Sequence, residues 1–150
     1  MPQSLSNLLV HVVFSTKNRE PWITGPLAAE IHPYLIGVLN QIGCQSLQVG
    51  GMADHVHLFF RLARTQSMAV VVETLKTSSS KWAKTKGPEF LGFRWQSGYG
   101  AFSVSQSDAD AVVAYIKGQA EHHRKMTFQE EYRRFLDRYQ IAYDERYVWD

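Results

Sequence analysis

The stretch Gly50-Gly-Met-Ala-Asp-His-Val-His-Leu-Phe-Phe-Arg-Leu62 decides the fold, because a glycine turn leads directly into an apolar and aromatic run. A short run of this kind, bounded by turn residues, is typical of a β-strand, here His55 to Leu62. The segment from Gln45 to Val49 before the turn has the same character. The sequence therefore predicts two neighbouring strands joined by a turn.

The segments on either side complete the order β-α-β-β-α-β-α-α. A β-branched run predicts a first strand, and three- and four-residue spacing of apolar residues predicts the helices. The boundaries are a strand at 8–14, helices at 25–43 and 67–86, a bent strand or strand pair at 93–105, and helices at 107–123 and 127–139. The first six elements match the ferredoxin-like split βαβ arrangement, an α+β fold whose antiparallel sheet carries helices on one face. The C-terminal helices follow this unit.

Composition limits the classes of protein that the chain can belong to. It has 150 residues, of which 45% are hydrophobic and 20% charged, as in an ordinary folded domain. We therefore expect one domain over residues 1–150. The single cysteine, Cys44, excludes an internal disulfide and a cysteine-rich zinc site. No charged leader or long apolar run is present in the sequence, so we expect a cytoplasmic protein without membrane contact.

Two histidines at the start of the strand after the glycine turn are the first candidate site. Residues two apart in a strand point to the same face, so His55 and His57 stand about 6.5–7 Å apart along the strand. Their rings can converge on one metal ion, because neutral imidazole binds divalent transition metals. The alternative is a pair of polar residues on an exposed face of the sheet.

The helix near position 115 carries a second group of candidates. At 100° per residue, Tyr115, Gln119 and His122 share one stripe beside the apolar stripe that packs on the sheet. Tyr115 taken alone is also typical of an amphipathic edge residue, with its ring buried and its hydroxyl in water. Gln119 taken alone is more often a surface amide.

Positive charge is concentrated in the middle of the chain. Between positions 61 and 94 seven cationic residues stand against two glutamates. Cations mixed with hydroxyls and an aromatic ring suit phosphate contacts and base stacking, whereas a solvated helix face is the alternative. The candidates for contacts with nucleic acid are Arg61, Arg64, Lys76, Lys81, Trp82, Lys84, Lys86 and Arg94. Phe102 is expected in the core, and Glu130 and Glu131 are expected to cap and solvate the last helix.

These residues resemble the single-tyrosine HUH transposases of bacterial insertion sequences, where HUH denotes two histidines around a bulky apolar residue. His55-Val-His57 is the corresponding motif. The resemblance extends over nearly the whole chain, because the motif stands in order with further similar segments. These are His11 to Arg19, Ser78 to Trp82, Trp95 to Ser105, Tyr115 to His123, and the closing Glu145-Arg-Tyr-Val-Trp-Asp150.

The resemblance implies a function and a set of roles. Tyr115 would be the nucleophile, and His55, His57 and Gln119 would bind Mg²⁺ or Mn²⁺. His122 is a candidate for proton transfer from Tyr115. The implied activity is cleavage and rejoining of single-stranded DNA at hairpin-bearing ends through a 5′-phosphotyrosine. A homodimer with active sites shared between protomers is also implied. Gly118 stands where the family often carries asparagine.

Two other functions stay open at the level of sequence. The chain can be a domesticated relative that binds repeated hairpins, nicks or binds DNA, and is no longer mobile. It can also be a non-catalytic metal- or RNA-binding module with a ferredoxin-like fold. Hairpins bordering the gene would indicate a mobile element, whereas dispersed hairpins would indicate a domesticated protein.

Overall fold

The computed structural model describes residues 2–150 and contains one four-stranded sheet. The strands are β1 (Leu9–Ser15), β2 (Gln45–Met52), β3 (His55–Arg61) and β4 (Gly100–Val104), in the order β2-β3-β1-β4. All neighbouring pairs are antiparallel, and His57 lies between Val13 of β1 and Gly50 of β2. This order and the helices between the strands confirm the predicted α+β ferredoxin-like arrangement.

Helices α1 (Gly25–Gln41) and α2 (Met68–Lys84) cover one face of the sheet. The apolar residues of both helices pack on the alternate strand positions that face them, including Val12, Phe14, Val56, Leu58 and Phe60. Because residues in a strand alternate between faces, the neighbours of these residues point to the opposite side. We call the two sides the core face and the histidine face.

Three C-terminal helices cover the histidine face: α3 (Ala109–Lys117), α4 (Gln119–His122) and α5 (Phe128–Arg138). Ile116 of α3 packs on Leu9 and Phe59. Gly50 allows this close packing, because a Cβ atom there would lie 2.9 Å from the Ile116 Cγ2 atom. The glycine therefore lets α3 rest on the sheet and brings Tyr115 beside the histidines.

Some predicted boundaries were wrong. The helix expected from 107 to 123 begins at Ala109 after a short 3-10 turn, and it is interrupted at Gly118, whose ψ of 16° departs from helical geometry. The region 93–105 forms a continuous strand only from Gly100, and before it Trp95 forms an isolated antiparallel bridge with Thr16. The Gln96 side-chain oxygen accepts a hydrogen bond from the Ser15 backbone N–H at 2.7 Å. None of the helices formed by residues 2–150 has the length and apolar character that crossing a bilayer requires.

Candidate metal centre and nucleophile

The histidine pair of β3 lies beneath the C-terminal helices. His55 and His57 are both completely buried, and their ring centroids are 5.1 Å apart. The exposed-face alternative for these residues is therefore wrong. The predicted parity of the strand is correct, since Val56 between them faces α1 and α2 on the core face.

Three histidines, His55, His57 and His123, are each held through the Nδ1 atom by a group further out. The Asp54 carboxylate lies 2.7 Å from His55 Nδ1, and the Met126 carbonyl lies 2.9 Å from His123 Nδ1. His11 Nε2 lies 2.8 Å from His57 Nδ1. Partners of this kind fix the tautomer and the ring orientation of metal-binding histidines. The arrangement leaves the three Nε2 atoms directed inward.

The inward nitrogens meet the carboxylate of Glu131, which is only 1% exposed. Glu131 Oε1 lies 3.5 Å from His55 Nε2, 3.0 Å from His57 Nε2 and 3.3 Å from His123 Nε2. One ligand atom from each of these four residues falls within 4.8 Å of all the others. Gln119 Oε1 joins them, at 3.1 Å from His55 Nε2 and 3.0 Å from His123 Nε2. We call these five residues the metal cluster.

The donors and acceptors of the metal cluster fit a bound cation. Asp54 and the Met126 carbonyl only accept hydrogen bonds, so they take the Nδ1 protons of His55 and His123. The Nε2 atoms of both rings then face Glu131 and Gln119 oxygens, which are acceptors. Converging lone pairs repel one another unless protons or a metal ion lie between them. Imidazole nitrogens and a carboxylate are suitable ligands for a divalent transition metal.

Burial and charge set the protonation of these groups. Burial lowers the pKa of His57, and burial with the nearby His57 lowers the pKa of His11 to about 3. Neutral His11 therefore serves as a hydrogen-bonding support for His57. Burial alone would raise the pKa of Glu131, yet hydrogen bonds from His123 and His57 hold it well below its usual range. The cluster thus contains a permanent carboxylate charge.

Tyr115 reaches this carboxylate from α3. Its hydroxyl donates a hydrogen bond to Glu131 Oε2 and lies 3.0 Å from His122 Nε2. Burial, together with the hydrogen bond and charge of Glu131, raises the pKa of Tyr115 well above its usual range. The phenol is therefore protonated in this state. The predicted group of Tyr115, Gln119 and His122 is brought together beside the histidine pair, within one chain.

Sequence reasoning missed three members of this region: Glu131, His123 and His11. The prediction for Glu130 is confirmed, since it forms a capping box with Thr127 at the start of α5. The prediction for Glu131 is wrong, because its side chain points inward. The available signal was helical phase, since Glu131 shares a stripe with Phe128 and Phe135. Gln119 is likewise buried, not a surface amide.

The basic residues predicted to bind DNA are spread over several surfaces. Helix α2, which carries Lys76 to Lys84, packs on the core face and lies behind the metal cluster. Lys76 donates to the carbonyls of Gln96 and Gly98, at 2.7 and 2.6 Å, and to a third carbonyl between them. Its ammonium group is thus used within the chain, and DNA binding by Lys76 stays a prediction.

Other members of that set also have partners within the chain. Trp82 stacks on Tyr34 with ring centroids 4.5 Å apart, and the Lys86 ammonium lies 4.9 Å from the Trp82 ring. Arg61 donates to the side chains of Asn7 and Gln45. Lys81, Arg64 and Arg94 are exposed, and Lys84 is half-buried. Phe102 is in the core, as predicted.

Tyr115 also lies at the edge of two openings. One cavity of about 310 Å³ is lined by His11, Tyr115, Phe135 and Tyr139, among others. A second, of about 490 Å³, is lined by Tyr115 and His122 together with Lys125 and Arg134. The second opening therefore offers positive charge next to the phenol, which is suitable for a phosphate group.

A ferredoxin-like sheet with a His-x-His pair, a glutamine and a tyrosine in one cluster is the arrangement expected of a single-tyrosine transposase, a class of DNA-processing enzyme. The family model "Transposase IS200 like" matches residues 4–119. The chain belongs to this family, whose members are DNA transposases of insertion sequences.

Individual relatives agree with this assignment. The ISDra2 transposase TnpA of Deinococcus radiodurans is 25% identical over 114 residues, which cover 73% of this chain and 81% of that protein. The crystal structure of a candidate transposase from Deinococcus radiodurans R1 has a TM-score of 0.60 at 23% identity, covering 79% of this chain and 98% of the other. A REP-associated tyrosine transposase bound to a REP hairpin has a TM-score of 0.62 at 13% identity, covering 82% and 72%. The two structures share the fold of this chain.

Proposed function

We propose that this transposase cleaves and rejoins single-stranded DNA at hairpin-bearing ends through a covalent bond to Tyr115. The observation that carries the proposal is the contact of the Tyr115 hydroxyl with Glu131, whose other oxygen faces the histidines. A nucleophile and a candidate Lewis-acid site within one cluster are the two components that phosphoryl transfer requires. We place the whole activity in one domain, residues 1–150, acting in the cytoplasm.

The residues have distinct roles in this proposal. His55, His57 and Gln119, with His123 and Glu131, would hold Mg²⁺ or Mn²⁺. When bound, the ion would polarise a non-bridging oxygen of the scissile phosphate. Tyr115 attacks phosphorus, so that an O–P bond to tyrosine forms while the bond to the 3′ oxygen breaks. The products are a 5′-phosphotyrosine and a free 3′-hydroxyl, and the reverse attack by another 3′-hydroxyl rejoins the strand.

His122 is the proposed proton acceptor for the Tyr115 hydroxyl. Burial lowers the pKa of His122, which keeps its imidazole neutral and able to accept a proton at Nε2. Its side chain is 28% exposed, whereas that of Glu131 is 1% exposed. A proton on His122 can therefore pass on to water. Lys125 and Arg134 at the same opening would bind the phosphates that flank the cleaved bond.

The hairpin itself would contact other basic residues. The candidates for contacts to its backbone are the eight residues predicted from the sequence, of which Lys81, Arg64 and Arg94 are exposed. The relative bound to a REP hairpin supports this part of the proposal. The same likeness favours the second candidate function, a domesticated protein that binds and nicks dispersed hairpin repeats. The DNA around the gene separates the two, since bordering hairpins indicate a mobile element.

The test is formation of a covalent protein–DNA species on a labelled hairpin oligonucleotide with Mn²⁺. We expect an adduct that survives denaturing electrophoresis, and we expect Tyr115→Phe to abolish it without loss of binding. Tyr147→Phe is the matched control, because Tyr147 is 64% exposed and lies outside the cluster. An adduct that persists in Tyr115→Phe would contradict the proposal.

Two copies would form a homodimer through sheet edges in this proposal, since β2 and β4 are the edge strands. The resemblance implied that the protomers share active sites. We propose instead that each chain uses its own tyrosine, because the cluster is complete in one chain. Mixing Tyr115→Phe with His57→Ala protein should then give no adduct, whereas restored adduct formation would establish sharing.

A further inference from the structure

The Glu131 carboxylate divides its two oxygens between two neighbourhoods. Oε1 faces the Nε2 atoms of His55, His57 and His123, at 3.0 to 3.5 Å. Oε2 accepts the hydrogen bond of the Tyr115 hydroxyl and lies 3.3 Å from the Gln119 amide nitrogen. One side chain therefore connects the metal cluster with the nucleophile.

The start of α5 fixes the direction of this side chain. Thr127 Oγ1 accepts a hydrogen bond from the Glu130 backbone N–H at 3.2 Å, and the Glu130 carboxylate returns to Thr127. This capping box holds Glu130 at the surface, so the next residue, about 100° further around the helix, points inward. The Phe128 ring packs on His55 with centroids 4.7 Å apart and anchors the same turn.

We propose that Glu131 is a ligand of the metal through Oε1 and the group that positions the Tyr115 hydroxyl through Oε2, so that metal occupancy and nucleophile position are coupled. The family match ends at residue 119, and Glu131 lies beyond it. Metal binding by Glu131 needs no assumption about DNA, whereas the role of Tyr115 as a nucleophile rests on the proposed function.

The convergence of ligand atoms supports the ligand role. The Nδ1 atoms of His55 and His123 are taken by acceptors further out, so their Nε2 atoms point at Glu131 Oε1 together with that of His57. One atom from each of the four residues lies within 4.8 Å of the others. A divalent ion held by these atoms would take the place of any proton between them. It would also withdraw charge from Oε2 and weaken the bond that holds Tyr115.

Metal titration without DNA tests whether Glu131 is a ligand of the metal. We expect Glu131→Gln to lower the Mn²⁺ affinity measured by calorimetry about tenfold or more. Glu130→Gln is the matched control, because glutamine can replace glutamate in a capping box, and we expect its Mn²⁺ affinity to equal that of the wild type. Equal affinity in wild type and folded Glu131→Gln would overturn the proposal.

Fluorine NMR with 3-fluorotyrosine at position 115 tests whether metal occupancy is coupled to the position of the Tyr115 side chain. Diamagnetic Zn²⁺ should shift the resonance in the wild type and leave it in place in Glu131→Gln at saturating Zn²⁺. If Glu131→Gln fails to fold, Glu131→Asp is decisive, because its shorter carboxylate should keep most of the metal affinity and lose the Zn²⁺-induced shift. An equal shift in either variant would overturn the coupling. A missing DNA adduct would contradict the proposed function and leave both titrations unaffected.

Discussion

The two faces of the sheet are built from the same strands and have opposite characters. Along β3, Val56, Leu58 and Phe60 pack into the apolar core under α1 and α2. Their neighbours His55 and His57 contact acids, amides and other histidines under the C-terminal helices. Both sets are completely buried. Burial alone therefore does not distinguish structural from functional positions in this protein.

The chemistry of the contacts makes the distinction. On the core face the buried groups are apolar and need only close packing against their neighbours. On the histidine face each buried polar atom needs a partner, and the Nε2 atoms of three histidines converge on a carboxylate oxygen. That convergence identifies the face on which a ligand belongs.

A pair of adjacent substitutions provides the largest test of this comparison. His57→Ala should abolish metal binding and adduct formation while the far-ultraviolet circular dichroism stays native. Leu58→Ala should lower the free energy of unfolding by about 2–5 kcal/mol, because a fully buried leucine is truncated. It should still form the adduct at low temperature, since its side chain faces away from the cluster. A native-like rate of adduct formation in His57→Ala would contradict this difference between the two faces.

Metal preference is the second test. Three imidazoles and a carboxylate favour Mn²⁺ over Mg²⁺, which prefers oxygen ligands and retains its water. Calorimetry should give at least about tenfold tighter binding of Mn²⁺. Chelation followed by desalting should remove adduct formation, and added Mn²⁺ should restore it. Tighter binding of Mg²⁺ would indicate an oxygen-rich site elsewhere.

The third test compares cations on the two sides of the sheet. Lys125→Ala with Arg134→Ala should slow adduct formation, because these residues line the opening at Tyr115. Lys81→Ala with Lys84→Ala should weaken hairpin binding and reduce its salt dependence by about 0.9 per lost contact, with the rate at saturating DNA unchanged. If Lys81→Ala with Lys84→Ala leaves the affinity for the hairpin unchanged, α2 is excluded from the surface that binds the hairpin.

The smallest effect concerns Lys76, which anchors the loop before β4. Burial lowers the pKa of Lys76 to about 8, from 10.5 in an exposed lysine. Between these two values the unfolded chain keeps a proton that the folded chain has released, so the free energy of unfolding should rise with pH. Lys76→Met should flatten this rise and cost about 1–3 kcal/mol at pH 7, since three carbonyls lose a charged donor. Urea titrations across this pH range measure both effects.

The sequence predicted those features that depend on local periodicity. Two-residue parity placed His55 and His57 on one face, and helical phase placed Tyr115, Gln119 and His122 on one stripe. The order of strands and helices predicted the ferredoxin-like sheet. Each of these inferences needs only neighbours within a few residues, or the standard connection rules for such units.

The missed features depend on how distant elements pack. Glu131 becomes part of the site only because α5 lies across the sheet. In the sequence Glu130 and Glu131 look alike, whereas the capping box at Thr127 uses Glu130 and leaves Glu131 directed inward. His11 supports His57 only through the antiparallel register of β1 with β3. The break at Gly118 is a local feature by contrast, and it agrees with the low helical propensity of glycine.

The most direct measurement of the central claim is peptide mapping of the covalent adduct by tandem mass spectrometry after nuclease and trypsin digestion. Trypsin cleavage after Arg94 and Lys117 releases a peptide that contains both Tyr99 and Tyr115. We expect the nucleotide mass on Tyr115 alone, in Mn²⁺-dependent amounts. A nucleotide on Tyr99, or on any residue outside the histidine face, would contradict the assignment of this cluster as the site of DNA cleavage.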